Sequence, residues 1–142
     1  MGSRLTWIVA FALVIVCMGC GGEPKGGPRV DTFPVIGKVL VDGAPAAGVL
    51  VACHPQGESS INHQLTVYTG EDGAFSIGTY EAGDGLPEGD YKLTFEWMEG
   101  PMLSPGKDKF KKKYADPEKS EHTVTVKNGE ENDLGEIALK TK

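Results

Sequence analysis

Cys53, His54, His63 and His122 carry the thiolate and imidazole atoms that bind transition metals. Their spacing argues against a site. If Cys53 and His54 are neighbours on one strand, they point to opposite faces and cannot grip one ion, and Cys53 reads as a small core residue. Glu81, Asp84, Glu88 and Asp90 offer loop oxygens for calcium, but without the alternating spacing of a calcium loop they read as solvated turn residues. No metal site is expected. The remaining concentration of chemistry lies between residues 98 and 119, a connection too long for a simple hairpin. It holds Met102, Lys107, Lys109, Phe110, Lys111, Lys112, Lys113 and Tyr114. One reading is a basic and aromatic binding loop for an anionic polymer, a phospholipid headgroup or an acidic protein. The plainer reading, which the residues favour, is a mobile loop whose lysines solvate an acidic domain, with Phe110 and Tyr114 folded back onto it. Asp116-Pro117-Glu118 then reads as a one-turn helix start, with Asp capping and Pro at the first helical position.

No Gly-x-Ser-x-Gly elbow and no phosphate-cradling glycine loop occurs. No catalytic residue and no cofactor is assigned. The formal charge of −6 argues against nucleic acid as a partner.

The N-terminus locates the chain. Met1 to Arg4 is a short basic start, followed by an uncharged apolar run from Leu5 to Val16. That run suits a secretory signal peptide and falls short of the roughly 20 residues that cross a bilayer. The next residues, Cys17-Met18-Gly19-Cys20, resemble the bacterial lipoprotein signal, in which a small residue precedes a cysteine that is acylated and becomes the new N-terminus. Cys17 stands where Leu is usual. The resemblance implies cleavage after residue 19 and lipidation of Cys20. An uncleaved anchor over Leu5 to Gly22 is the alternative, weakened by Gly19, Gly21 and Gly22, which are poor helix formers. More than one acyl chain on Cys20 gives lasting membrane attachment, at about 0.8 kcal/mol per buried methylene. Removing residues 1–19 leaves 123 and takes away Arg4, so the formal charge moves from −6 to −7. Cys53 is then the one cysteine inside the folded part, and no internal disulfide can form.

Residues 20–34, rich in Gly and Pro, read as a flexible tether spanning about 20 Å. The chain holds 20 Gly and 9 Pro, and from Val35 onward they set turn-like breaks between short alternating runs. The strongest is Tyr91-Lys-Leu-Thr-Phe-Glu-Trp97, with Tyr91, Leu93, Phe95 and Trp97 on one face and Lys92, Thr94 and Glu96 on the other. Val35, Val39 and Val41 face inward on a first strand that ends at the Asp42-Gly43 turn. Val49, Val51 and Cys53 do so on a second. Residues 64–69 and 74–79 read as a hairpin around 70–73, with Phe75 and Ile77 inward. Residues 121–127 and 132–140 read as a closing pair over 128–131, with Val124, Val126, Ile137 and Leu139 inward. The expectation is all-β: seven antiparallel strands in a two-sheet sandwich, transthyretin-like or immunoglobulin-like, over residues 35–142. Tyr91 is expected to bond its hydroxyl back to the Pro87 turn.

Val-x-Gly-Lys-Val with Asp-Gly-x-Pro-x-x-Gly-Val (35–49), Thr-Gly-Glu-Asp-Gly-Ala-Phe-Ser-Ile (69–77) and Leu-Pro-Glu-Gly-Asp-Tyr-Lys-Leu (86–93) resemble the carboxypeptidase regulatory-like domain family. The resemblance implies a transthyretin-like sandwich, with Gly43, Gly73 and Gly89 as backbone positions and Phe75 and Tyr91 as core residues. It implies no peptidase activity, because none of the three histidines begins the His-x-x-Glu zinc motif of the peptidases that carry such domains. The related hydroxyisourate hydrolases end in Tyr-Arg-Gly-Ser, whereas this chain ends Ala-Leu-Lys-Thr-Lys. The function expected is a lipid-anchored, non-enzymatic structural or binding module of the cell envelope. Its partners are the membrane, through the lipid, and an envelope protein or polysaccharide. The alternatives are a carbohydrate- or peptide-binding sandwich using residues 98–119 and, further off, a transthyretin-related hydrolase.

Overall fold

The computed structural model describes residues 28–101 and 103–142. The leader, Cys20 and Met102 lie outside the described residues. Eight strands appear: β1 Val35–Val41, β2 Ala44–Pro45, β3 Leu50–Pro55, β4 Leu65–Tyr68, β5 Ala74–Ser76, β6 Gly89–Glu96, β7 Thr123–Val126 and β8 Asn132–Leu139. They form two four-stranded sheets. One has β1 at its centre, flanked by β2 and β5 on one side and β8 on the other; the second runs β4-β3-β6-β7. The fold is an all-β two-sheet sandwich.

Alternation builds the core. Val35, Val39, Val49, Val51, Cys53, Ile77, Leu93, Phe95 and Tyr91 are essentially sealed from solvent between the sheets. Trp97 lies past the end of β6, half-buried against the core. Thr94, expected on the polar face, is buried at 4 % exposure because its hydroxyl is paired with a ring nitrogen of His54 on the neighbouring strand at 2.8 Å.

The pairings depart from expectation in four ways. An eighth strand exists because Asp42 and Gly43, both at positive φ (51° and 85°), fold the chain back tightly enough for Ala44–Pro45 to pair with the end of β1. Residues 65–68 and 74–76 are not a hairpin: β4 pairs with β3, β5 pairs with β1, and the turn between them crosses from one sheet to the other. There Gly73, at φ 78°, leaves no room for a side chain, since an added Cβ would lie 2.5 Å from the Val39 carbonyl. β7 and β8 are likewise not partners, since β7 pairs with β6. Nor is every pair antiparallel, because β8 runs parallel to β1 from Asn132 beside Val35 to Leu139 beside Val41. A crossing and a hairpin put the same residues inward, so alternation alone does not choose between them.

The sandwich has two poles. β1 and β6 both start at one and end at the other, about 25 Å away for the eight residues of β6. The incoming chain is fixed at the first pole. Phe33 exchanges backbone hydrogen bonds with Leu86 (2.9 and 3.0 Å), the Val30 amide donates to Tyr80 Oη (3.1 Å), and Arg29 pairs with Glu81 at 3.4 Å. Residues 29–34, expected as tether, are thus seated on the domain.

Candidate functional site

The far pole gathers the end of β6, the residues that follow it, the β1–β2 turn and the C-terminal segment after β8. Asp108 organises the long connection. Its Oδ1 accepts from the amides of Trp97 (2.9 Å) and Phe110 (3.0 Å), and its Oδ2 accepts from the Lys112 amide (2.7 Å). The Lys109 amide donates to the Trp97 carbonyl (2.8 Å) and the Glu99 amide to the Lys107 carbonyl (2.9 Å), so residues 97–99 and 107–109 pair side by side as an extension of β6. Phe110 is buried at 1 % exposure, with Trp97 and Tyr114 against its ring at 5.9 and 5.2 Å. Tyr114 Oη accepts from the Lys140 amide at 3.0 Å, which ties the loop to the segment just past β8. A one-turn 3-10 helix over Pro117–Lys119 follows, capped by Asp116 as its sequence predicts.

This geometry separates the residues assigned to the binding loop. Phe110 is no contact surface; it is the loop's anchor, because burying a benzyl group is worth more than leaving it in water. Tyr114 is half-buried, its hydroxyl used internally. Lys107, Lys111, Lys112 and Lys113 are exposed. Lys109 Nζ lies 3.8 Å from the centre of the Trp97 ring, and Lys113 Nζ lies 5.2 Å from that of Tyr114. Asp108 was not among the predicted residues. Its signal was available, for an Asp two residues before a buried aromatic is the pattern of a side chain that bonds its own backbone.

Beside the loop is a cleft of about 650 Å³, lined by Tyr68, Glu96, Trp97, Met98, Pro101 and Lys109 among others. Tyr68 is 48 % exposed there, and the Trp97 indole N–H is fixed to the Ala47 carbonyl at 3.0 Å. The floor is rigid: Thr69 Oγ1 donates to the Ala46 carbonyl (2.6 Å) and accepts from the Val49 amide (2.9 Å). A cleft of this size suits one or two ring-sized groups.

The other chemistry-bearing residues are dispersed. Cys53 is fully buried, and burial pushes its thiol up to about 12. His54 bonds Thr94, and His122 packs edge-on to Phe95 at 5.3 Å; burial lowers the pKa of both imidazoles. Of the four carboxylates considered for calcium, Asp84 accepts three backbone amides (Thr79, Tyr80 and Glu81, 2.6–3.1 Å), Asp90 accepts from Thr125 Oγ1 at 2.6 Å, and Glu81 faces Arg29. Among the described residues no three His, Cys, Asp or Glu side chains converge as a metal cage.

The fold and this pole together define a β-sandwich with a cleft and a lysine-bearing loop at one end. No protein-family model and no curated protein matches the chain. Among solved structures it is similar to two DUF3823 family proteins. One is from Parabacteroides merdae (20 % identity, 79 % of this chain and 46 % of that one, TM-score 0.42) and one from Bacteroides ovatus (20 % identity, 77 % and 43 %, TM-score 0.39). It is also similar to a 9R-lipoxygenase from Cyanothece PCC8801 (11 % identity, 81 % and 18 %, TM-score 0.38). The chain spans less than half the length of each of these structures.

Proposed function

We propose that this chain is a lipid-anchored, extracytoplasmic β-sandwich of the carboxypeptidase regulatory-like type, serving as a non-enzymatic binding module of the cell envelope. The observation that carries the reading is polarity. Arg29 and Phe33 bring the chain in at one pole, while the cleft and the lysine loop occupy the other. A module tethered through Cys20 presents such a site outward. The small-residue pattern before Cys20 motivates the anchor, and the family resemblance is in keeping with Gly43 and Gly73 at positive φ, Gly89 opening β6, and Phe75 and Tyr91 in the core. A non-enzymatic role is supported by where the titratable groups point: Asp84, Asp90, Asp108 and His54 are each engaged in bonds that hold loops or strands together.

The test is expression of the full chain in a bacterium with an intact-mass measurement of the membrane fraction, beside Cys20→Ala. The expected species starts at residue 20 and carries acyl chains, and Cys20→Ala lacks them. A wild-type chain recovered with an unmodified Cys20 overturns the anchoring.

A further inference from the structure

We infer that the far pole is a receptor for an acidic polysaccharide strand, whose anionic groups meet the lysine loop while one of its sugar rings lies on Tyr68 in the adjoining cleft. The inference deepens the binding-module reading and rests on it.

Charge is the first argument. In a chain of net charge −6, the five lysines between 107 and 113 are joined at this pole by Lys140 and Lys142: the Lys140 backbone bonds Tyr114, and the Lys142 carbonyl accepts from Lys113 Nζ at 3.3 Å. The side-chain ion pairs among the described residues are Arg29–Glu81 and Lys119–Asp116, so none of these seven ammonium groups has an Asp or Glu carboxylate within 4.0 Å, and Lys113 alone meets the backbone oxygen of the last residue. The loop's own aspartate, Asp108, is turned onto backbone amides. Asp42, on the β1–β2 turn, is taken by Thr141. Seven ammonium groups gathered with few close counterions raise the local potential, and a polyanion lowers it.

Shape is the second. The lysines are not on a slack segment: Phe110 anchors the loop, and the rings of Trp97 and Tyr114 hold Lys109 and Lys113 in place. Lys111 and Lys112 both sit at positive φ, 53° and 63°, where Gly or Asn is cheaper. Strain of this kind is retained at binding sites when the side chain itself is needed.

The cleft selects the class of polyanion. Tyr68 offers a flat, half-exposed ring for the C–H face of a sugar, and Lys109 joins the cleft to the lysine loop. Glu96 in the wall accepts hydrogen bonds from hydroxyl groups, which a glycan has in number and an acidic peptide lacks.

The experiment uses the full-length chain in detergent, with and without Cys20→Ala, titrated with polygalacturonate, inorganic polyphosphate, polyglutamate and a neutral glucan. Polygalacturonate is expected to bind, with affinity falling steeply as salt rises, and the neutral glucan is not. The triple variant Lys111→Glu, Lys112→Glu, Lys113→Glu is expected to lose at least about tenfold with an unchanged denaturation midpoint. Tyr68→Ala should weaken polygalacturonate severalfold and leave polyphosphate unchanged, which separates sugar recognition from bare charge. Binding of polyglutamate as tight as polygalacturonate, or indifference of polygalacturonate to Tyr68→Ala, overturns the glycan assignment. Absence of binding to every probe overturns the receptor. Binding that persists in Cys20→Ala keeps the receptor even where the lipid anchor fails.

Discussion

Tyr91 is 1 % exposed, and its hydroxyl donates to the Pro87 carbonyl at 2.9 Å, closing the turn that feeds β6. Tyr91→Phe keeps the ring and removes the bond, leaving a buried carbonyl short of a donor. It should lower stability by about 1 kcal/mol, read as a shift of the urea midpoint at unchanged slope. The two half-buried imidazoles make a second test. Burial holds His54 and His122 below the ordinary value of 6.5, with Glu121 opposing the shift at His122. The unfolded chain therefore takes up protons first as pH falls. The stability these residues contribute is complete above the unfolded value and is lost as pH drops through the folded ones. The midpoint should fall as pH drops through the ordinary imidazole value of about 6.5 and below it, above the carboxylate range, and His54→Gln with His122→Gln should remove most of that fall. An undiminished fall in the double variant would assign it to other groups.

Residues 107–115 behave as one element held by two contacts, the Asp108 carboxylate on three amides and the Phe110 ring in the core. Asp108→Ala strands those amides and should cost about 2 kcal/mol, the range for bonds to a charged acceptor. It should also open the lysine run to trypsin in the otherwise folded domain. Phe110→Ala removes a buried ring and should cost about 3 kcal/mol or more, whereas replacing Lys111 by Ala should leave the midpoint within about 0.5 kcal/mol. These assignments show what the sequence could carry. Tyr91, Phe95 and the Val35–Val41 pattern disclosed their inward faces because period two survives any pairing. The β4 and β5 partners did not, because a Gly-rich turn serves a hairpin and a sheet crossing equally well. Phe110 and Tyr114 were legible as rings folding back. The cleft was not, since it joins Tyr68 to Trp97 and Met98 across residues far apart in sequence.

At the scale of the molecule, the distance between the poles decides which partners are in reach. On the proposed anchoring at Cys20, the leash is the nine residues from Cys20 to Arg29, Arg29 and Phe33 fix the membrane-side pole, and the sandwich sets the far pole about 25 Å beyond it. The field of a lipid surface decays within about 10 Å in ordinary salt, so on that anchoring the lysines of the far pole would stand outside it. The Arg29 pole carries carboxylates instead, among them Glu81, Asp84, Glu88 and Asp90, and on the same anchoring repulsion from anionic headgroups would keep the domain upright. Lipidated protein in vesicles tests this, because acylated Cys20 has no free thiol and buried Cys53, at about 12, is unreactive. A donor dye on Glu88→Cys should transfer energy to an acceptor in the headgroup layer far more efficiently than one on Lys111→Cys. Tyr80→Ala, which removes the acceptor of the Val30 amide at 3.1 Å and the ring beneath Arg29, should lengthen the leash and narrow the difference. Equal transfer from both sites in the unaltered chain would mean that the domain lies on its side, with its lysines against the lipid.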